Sequence, residues 1–116
     1  MVTIERDRYV VFKILLDDTK TEIEDLKRNV WSMYQRLYGL DGTTEAGLFF
    51  EEYDNEKRIG LVRCNSKSLS YLMTSFAMIR EIDGAELLIL PLFVTGLINK
   101  AKKYVSALSS PNHNID

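Results

Sequence analysis

Two apolar rhythms alternate along this chain, and their order leaves few folds open to it. Residues 8–16 alternate with a period of two, so Val10, Phe12, Ile14 and Leu16 share one face and Tyr9, Val11, Lys13 and Leu15 the other, the pattern of a strand. The period then lengthens to that of a helix. Ile23, Leu26, Val30, Met33 with Tyr34, and Leu37 form one stripe. Thr21 and Glu24 have capping-box spacing before it, and Gly39 can supply the left-handed residue that ends it. Residues 48–53 and 58–64 read as two strands joined by the polar turn Asp54-Asn55-Glu56-Lys57. A second helix turns Leu69, Leu72 with Met73, Phe76 and Ile79 inward, with Gly84 beyond its end. Residues 86–94 make a fourth strand, and Thr95-Gly96 opens a third helix carrying Leu97, Ala101, Tyr104, Val105 and Leu108. This is the split βαβ order with a helix appended. It predicts an α+β, ferredoxin-like or RRM-like sandwich, a four-stranded antiparallel sheet with two helices on one face.

The 116 residues suffice for one such domain, placed at residues 1–108, with the Ser/Pro/Asn-rich residues 109–116 as a disordered tail. The longest apolar run, residues 87–94, contains Pro91 and is far below the ~20 residues of a membrane span. The first eight residues mix charged and apolar side chains without a secretory apolar stretch, which points to a cytoplasmic protein with no membrane partner. Cys64 is the only cysteine and His113, in the tail, the only histidine, so neither an internal disulfide nor a Cys/His zinc site can form.

Charge is distributed more tellingly than its total of −2 suggests. Residues 17–56 hold eleven acidic and four basic side chains; residues 57–116 hold eight basic and four acidic ones. Such asymmetry is either a solvated mixture or a polarised surface whose basic side meets an anion.

The third strand can be set against the RNA-stacking motif of RRM sheets. Lys57-Arg58-Ile59-Gly60-Leu61-Val62-Arg63-Cys64 keeps the small residue and the valine, but Ile59 and Leu61 replace both stacking aromatics. Aliphatic side chains offer no flat ring to a base, so this strand is not expected to read single-stranded RNA in the usual way. The same alignment turns Gly60, Val62 and Cys64 toward the helices and Ile59, Leu61 and Arg63 away. Pairing across the hairpin then adds Leu48 and Phe50 to the outer face. Four apolar side chains left in water would forgo roughly 1.5–3 kcal/mol each, so either the third helix or a protein partner should cover them.

Several cations suit an anionic ligand. Arg63, with Lys13 beside it, could bridge a phosphate or form a salt bridge with Glu52 or Glu86 at the sheet edge. Lys100, Lys102 and Lys103 on the outer side of the last helix could track a phosphate backbone or be merely solvated. Arg8 and Lys67 complete the set of candidates. An acylphosphatase-type enzyme would need a cationic cradle after the first strand, where this chain has Asp17-Asp18-Thr19-Lys20. Its paired carboxylates, Asp17/Asp18 and Glu51/Glu52, have no histidine near them. A regulatory domain that binds a small metabolite and dimerises through its sheet stays open.

Four stretches taken together resemble the small protein subunit of archaeal and eukaryotic ribonuclease P. They are Arg8-Tyr9-Val10-Val11-Phe12-Lys13-Ile14, Gly39-Leu40-Asp41-Gly42-Thr43-Thr44-Glu45-Ala46, Gly60-Leu61-Val62-Arg63-Cys64 and Val94-Thr95-Gly96-Leu97-Ile98. The resemblance runs over roughly residues 6–105. It implies a non-catalytic subunit that supports a catalytic RNA in removing the 5′ leader of precursor tRNA. It also implies a larger TIM-barrel protein partner, with two copies of each in a heterotetramer, and magnesium ions held by the RNA and none by this chain. On that reading Arg8, Lys13, Arg63, Lys67, Lys100, Lys102 and Lys103 are candidate RNA contacts. Leu48, Phe50, Ile59 and Leu61 are candidate partner contacts, and no residue is catalytic.

Overall fold

The computed structural model describes residues 6–109. Strand β1 (Asp7–Leu15) leads to helix α1 (Ile23–Glu45), then to the hairpin of β2 (Phe49–Asp54) and β3 (Ile59–Asn65). A 3-10 turn (Ser66–Ser68) enters α2 (Leu69–Met78); a small hairpin of β4 (Glu81–Ile82) and β5 (Ala85–Glu86) follows. Strand β6 (Leu88–Thr95) and helix α3 (Ile98–Ser109) complete the chain. The main sheet has the order β2-β3-β1-β6 with every neighbour antiparallel, as the split βαβ pattern predicts. The expected tail and His113 lie outside the described residues, except that Ser109 closes α3.

The sheet is buried on both faces. Val10, Phe12 and Ile14 of β1 and Val62 and Cys64 of β3 meet Leu26, Val30 and Tyr34 of α1 and Leu72 and Phe76 of α2. Here Gly60 is required: a Cβ on it would sit 2.3 Å from Cζ of Phe12, whose ring fills that space against Phe50, Tyr53 and Phe76. On the other face Tyr9, Val11, Ile59 and Leu61 pack beneath Ala101 and Val105 of α3. Phe93 stacks on Tyr104 beside them at 4.6 Å. The cover of the outer sheet face is therefore the third helix of the same chain.

Three local expectations are corrected. Leu48 and Phe50 belong to the α1/α2 side, because a bulge at Glu51 shifts the hairpin register between Phe50 and Glu52. Without it Phe50 would oppose Arg63; with it Phe50 opposes Val62 and Phe49 opposes Arg63. Thr21 and Glu24 form no capping box. The buried Asp17 carboxylate instead accepts the backbone N–H groups of Thr19 and Thr21 and the Thr19 hydroxyl. Gly39, at φ 82°, breaks α1 as expected, but the chain re-enters a helix that runs to Glu45. Gly84 lies beyond α2, where it makes the two-residue turn of the β4–β5 hairpin together with Asp83, both at positive φ.

Candidate functional site

A cleft with two arginines lies where β1 begins and β6 ends. Antiparallel pairing of β1 with β6 brings Tyr9 opposite Thr95, so residues just before β1 meet those just after β6. Arg6, Asp7, Arg8, Tyr9, Val94, Thr95, Gly96 and Leu97 enclose a cleft of about 670 Å³ there. Arg8 is held in place: its Nη1 donates to the Asp7 carbonyl at 2.9 Å and lies against Gly96, where a Cβ would approach it to 3.2 Å. Ser66 anchors the segment before β1, donating its N–H to the Arg6 carbonyl and accepting the Arg6 N–H on its hydroxyl. Thr95 accepts the Leu97 N–H on its side chain, which orders the entry to α3.

Register extends this rim across the sheet. Thr95, Tyr9, Arg63 and Phe49 form one cross-strand row on the α3 side. Arg63 places its guanidinium 5.2 Å from the centroid of the Phe49 ring. Its Nη1 is 3.9 Å from Glu51, so the salt bridge goes to the bulged residue and not to Glu52 or Glu86. Phe49 is 52% exposed and lies outside the cluster packed under α3. Arg6 and Phe49 were not among the residues the sequence singled out. Phe49 becomes visible only once the bulge is known, since the unbroken hairpin register turns it toward the helices.

The other candidates are dispersed. Lys13 is not beside Arg63: it opposes Ile59 while Arg63 opposes Tyr9, four residues along β1 and so about 13 Å away. Lys100, Lys102 and Lys103 are exposed on α3 opposite the buried Ala101 and Val105. Lys67 is exposed in the 3-10 turn, on the α1/α2 side beside Tyr71 and Asn65. Among the described residues, Arg6, Arg8, Lys13 and the three α3 lysines make no ion pair. The acidic stretch pairs three of its four cations, Lys20 with Glu56, Lys27 with Glu24 and Arg28 with Asp25. Leu48, Phe50, Ile59 and Leu61 are all interior, the first two under α1 and α2 and the last two under α3, so none is left as free partner surface.

Burial pushes the Cys64 thiol up to about 11, with Arg8 opposing the shift, so the sulfur stays protonated. No three Asp, Glu, His or Cys side chains converge as a metal site among the described residues, and no described helix is long and apolar enough to cross a membrane.

Residues 8–106 match the model of the Rpp14/Pop5 family, which covers the four strands of the sheet, except Asp7, and α3 as far as Ser106. The chain belongs to the Rpp14/Pop5 family. Within it, the chain is 31% identical over 99 residues to ribonuclease P protein component 2 of Pyrococcus abyssi, covering 85% of this chain and 83% of that protein. It is 33% identical over 109 residues to the protein of the same name in Methanocaldococcus jannaschii, covering 92% and 78%. The Rpp14/Pop5 fold is also met in a chain of the cryo-EM structure of yeast ribonuclease MRP. That chain superposes with a TM-score of 0.67 over 91% of this chain and 93% of its own, at 14% identity.

Proposed function

We propose that this chain is a non-catalytic protein subunit of ribonuclease P, supporting a catalytic RNA as it removes the 5′ leader of precursor tRNA. The observation that carries this reading is family membership along nearly the whole domain, with relatives named as ribonuclease P protein components at 31% and 33% identity. It favours a ribonucleoprotein subunit over a metabolite-binding regulatory domain. In this role cations at the surface do the work. Arg8 at the rim of the sheet and Lys100, Lys102 and Lys103 on α3 lie against phosphates, and Arg63, Lys67 and Lys13 add contacts at separate points. The larger TIM-barrel subunit joins the chain in a heterotetramer in the cytoplasm, and magnesium serves the RNA.

Purification of the tagged chain from native extract, followed by sequencing of the bound RNA, tests the reading. Recovery of ribonuclease P RNA with a larger protein is expected. A chain that elutes with a small molecule and no RNA would contradict it.

A further inference from the structure

We infer that the rim of the sheet holds a short single-stranded stretch of RNA, with one unpaired base stacked on Phe49 and a neighbouring phosphate in the Arg6/Arg8 cleft. This rests on the reading of the chain as a ribonucleoprotein subunit and names the form of RNA its rim accepts. Three observations converge on it.

The first is the ring. Phe49 is a large apolar side chain left 52% exposed on a sheet whose other outer-face aromatics are covered by α3. The Arg63 guanidinium 5.2 Å from its centroid adds a second flat, cationic surface, and a base can stack on either. Glu51, only 17% exposed in its side chain, steadies Arg63 from behind at 3.9 Å while presenting little charge to solvent.

The second is the path. Phe49, Arg63, Tyr9 and Thr95 stand in register across the four strands. Phe49 is two strand spacings from Tyr9, about 10 Å, and Tyr9 itself lines the arginine cleft. Arg8 opposes Cys64 and so has the parity of the α1/α2 face, which means a backbone reaches the guanidinium groups from the ring by turning over the strand ends.

The third is the charge. The cleft holds two arginines against one aspartate, and Arg8 is fixed by the Asp7 carbonyl and the Gly96 backbone with no carboxylate paired to it among the described residues. A duplex would present its phosphates but keep its bases stacked inside, leaving Phe49 without a partner. The exposed ring thus selects for an unpaired strand. A neutral or basic protein segment would be a poorer occupant, because the concavity beside the ring is lined by two arginines against one aspartate.

The test compares the full chain with its Phe49→Ala, Phe49→Trp and Arg6→Ala variants, binding a short oligoadenylate and a short RNA duplex in titrations at several salt concentrations. Phe49→Ala should weaken oligoadenylate binding about tenfold and leave duplex binding unchanged, while Phe49→Trp keeps or improves it. Arg6→Ala should lower the salt slope by about one unit for the single strand. Equal loss on both RNAs, or no loss on oligoadenylate, overturns the inference. So does a Phe49→Ala chain that binds RNA normally but no longer co-purifies with the larger protein. If every variant still recovers ribonuclease P RNA from extract, the subunit reading stands and only the stacking site fails. If the unaltered chain recovers none, the subunit reading itself has failed.

Discussion

The two faces of the sheet are covered to different depths. Toward α1 and α2 lies a continuous core in which Phe12, Phe50, Tyr53 and Phe76 interlock around the space left by Gly60. Toward α3 the cover is a single helix resting on Tyr9, Val11, Ile59 and Leu61. Its margins leave Phe49, Leu88 and Leu90 exposed, with Lys13 beside Leu90. The thick face specifies the fold; the thin face carries Lys13, Arg63 and the exposed Phe49 ring, with Lys100, Lys102 and Lys103 on the helix that covers it.

Adjacent residues of β3 give the largest contrast. Val62 is fully buried on the thick face, and Val62→Asp would place a charge among Phe12, Leu72 and their neighbours. An unpaired buried charge costs several kcal/mol against a total stability of about 5–15 kcal/mol, so the variant should show no cooperative melting by circular dichroism. Leu61 is equally buried, but beneath α3 alone. Leu61→Asp should lower the melting temperature and release α3, with amide exchange rising in residues 98–109 before it rises in α1 or β1. Uniform exchange in that variant would mean the two faces form one cooperative core, and the comparison would break.

A smaller effect sharpens the account of the thick face. Gly60→Ala drives a methyl into the Phe12 ring and should cost about 1–3 kcal/mol in denaturant titration. Phe12→Leu in the same chain should recover part of that loss, because the two changes share one space. Additive losses would place the strain elsewhere.

Acid provides the mildest probe, at the loop that enters α1. Burial alone would raise the Asp17 carboxyl, but hydrogen bonds from Thr21 and Thr19 outweigh it and hold the group below its ordinary value of 3.8. Since the folded value is depressed, the contribution of Asp17 is present above pH 3.8 and is lost as pH falls through the folded value. Asp17→Asn should therefore be less stable at neutral pH and less sensitive to acid below pH 3.8. A variant with unchanged acid sensitivity would remove Asp17 from the explanation.

The strand and helix order was legible because period-two and helical apolar patterns each survive burial on at least one face. Ile59 and Leu61 were placed correctly on the outer face, since parity along one strand needs no partner. Parity across the hairpin is different: one extra residue at Glu51 inverts it, and nothing in Phe49-Phe50-Glu51-Glu52 marks which residue will bulge. The error on Leu48 and Phe50 and the oversight of Phe49 have that single cause. Asp83-Gly84 did carry a readable hairpin signal, masked by the reading of Gly84 as the residue after a helix. The pairing of Arg63 with Tyr9, and hence its distance from Lys13, is a matter of strand register that only the folded sheet fixes.

Reconstitution of precursor-tRNA cleavage tests the central claim most directly. Ribonuclease P RNA and its larger protein partner would be assembled with and without this chain, and the initial rate of 5′ leader removal measured at limiting magnesium. The account predicts that the chain raises the rate of the RNA-containing assembly and that chain and partner without RNA cleave nothing. Cleavage by the chain in the absence of RNA, or an assembly indifferent to its addition, would contradict it.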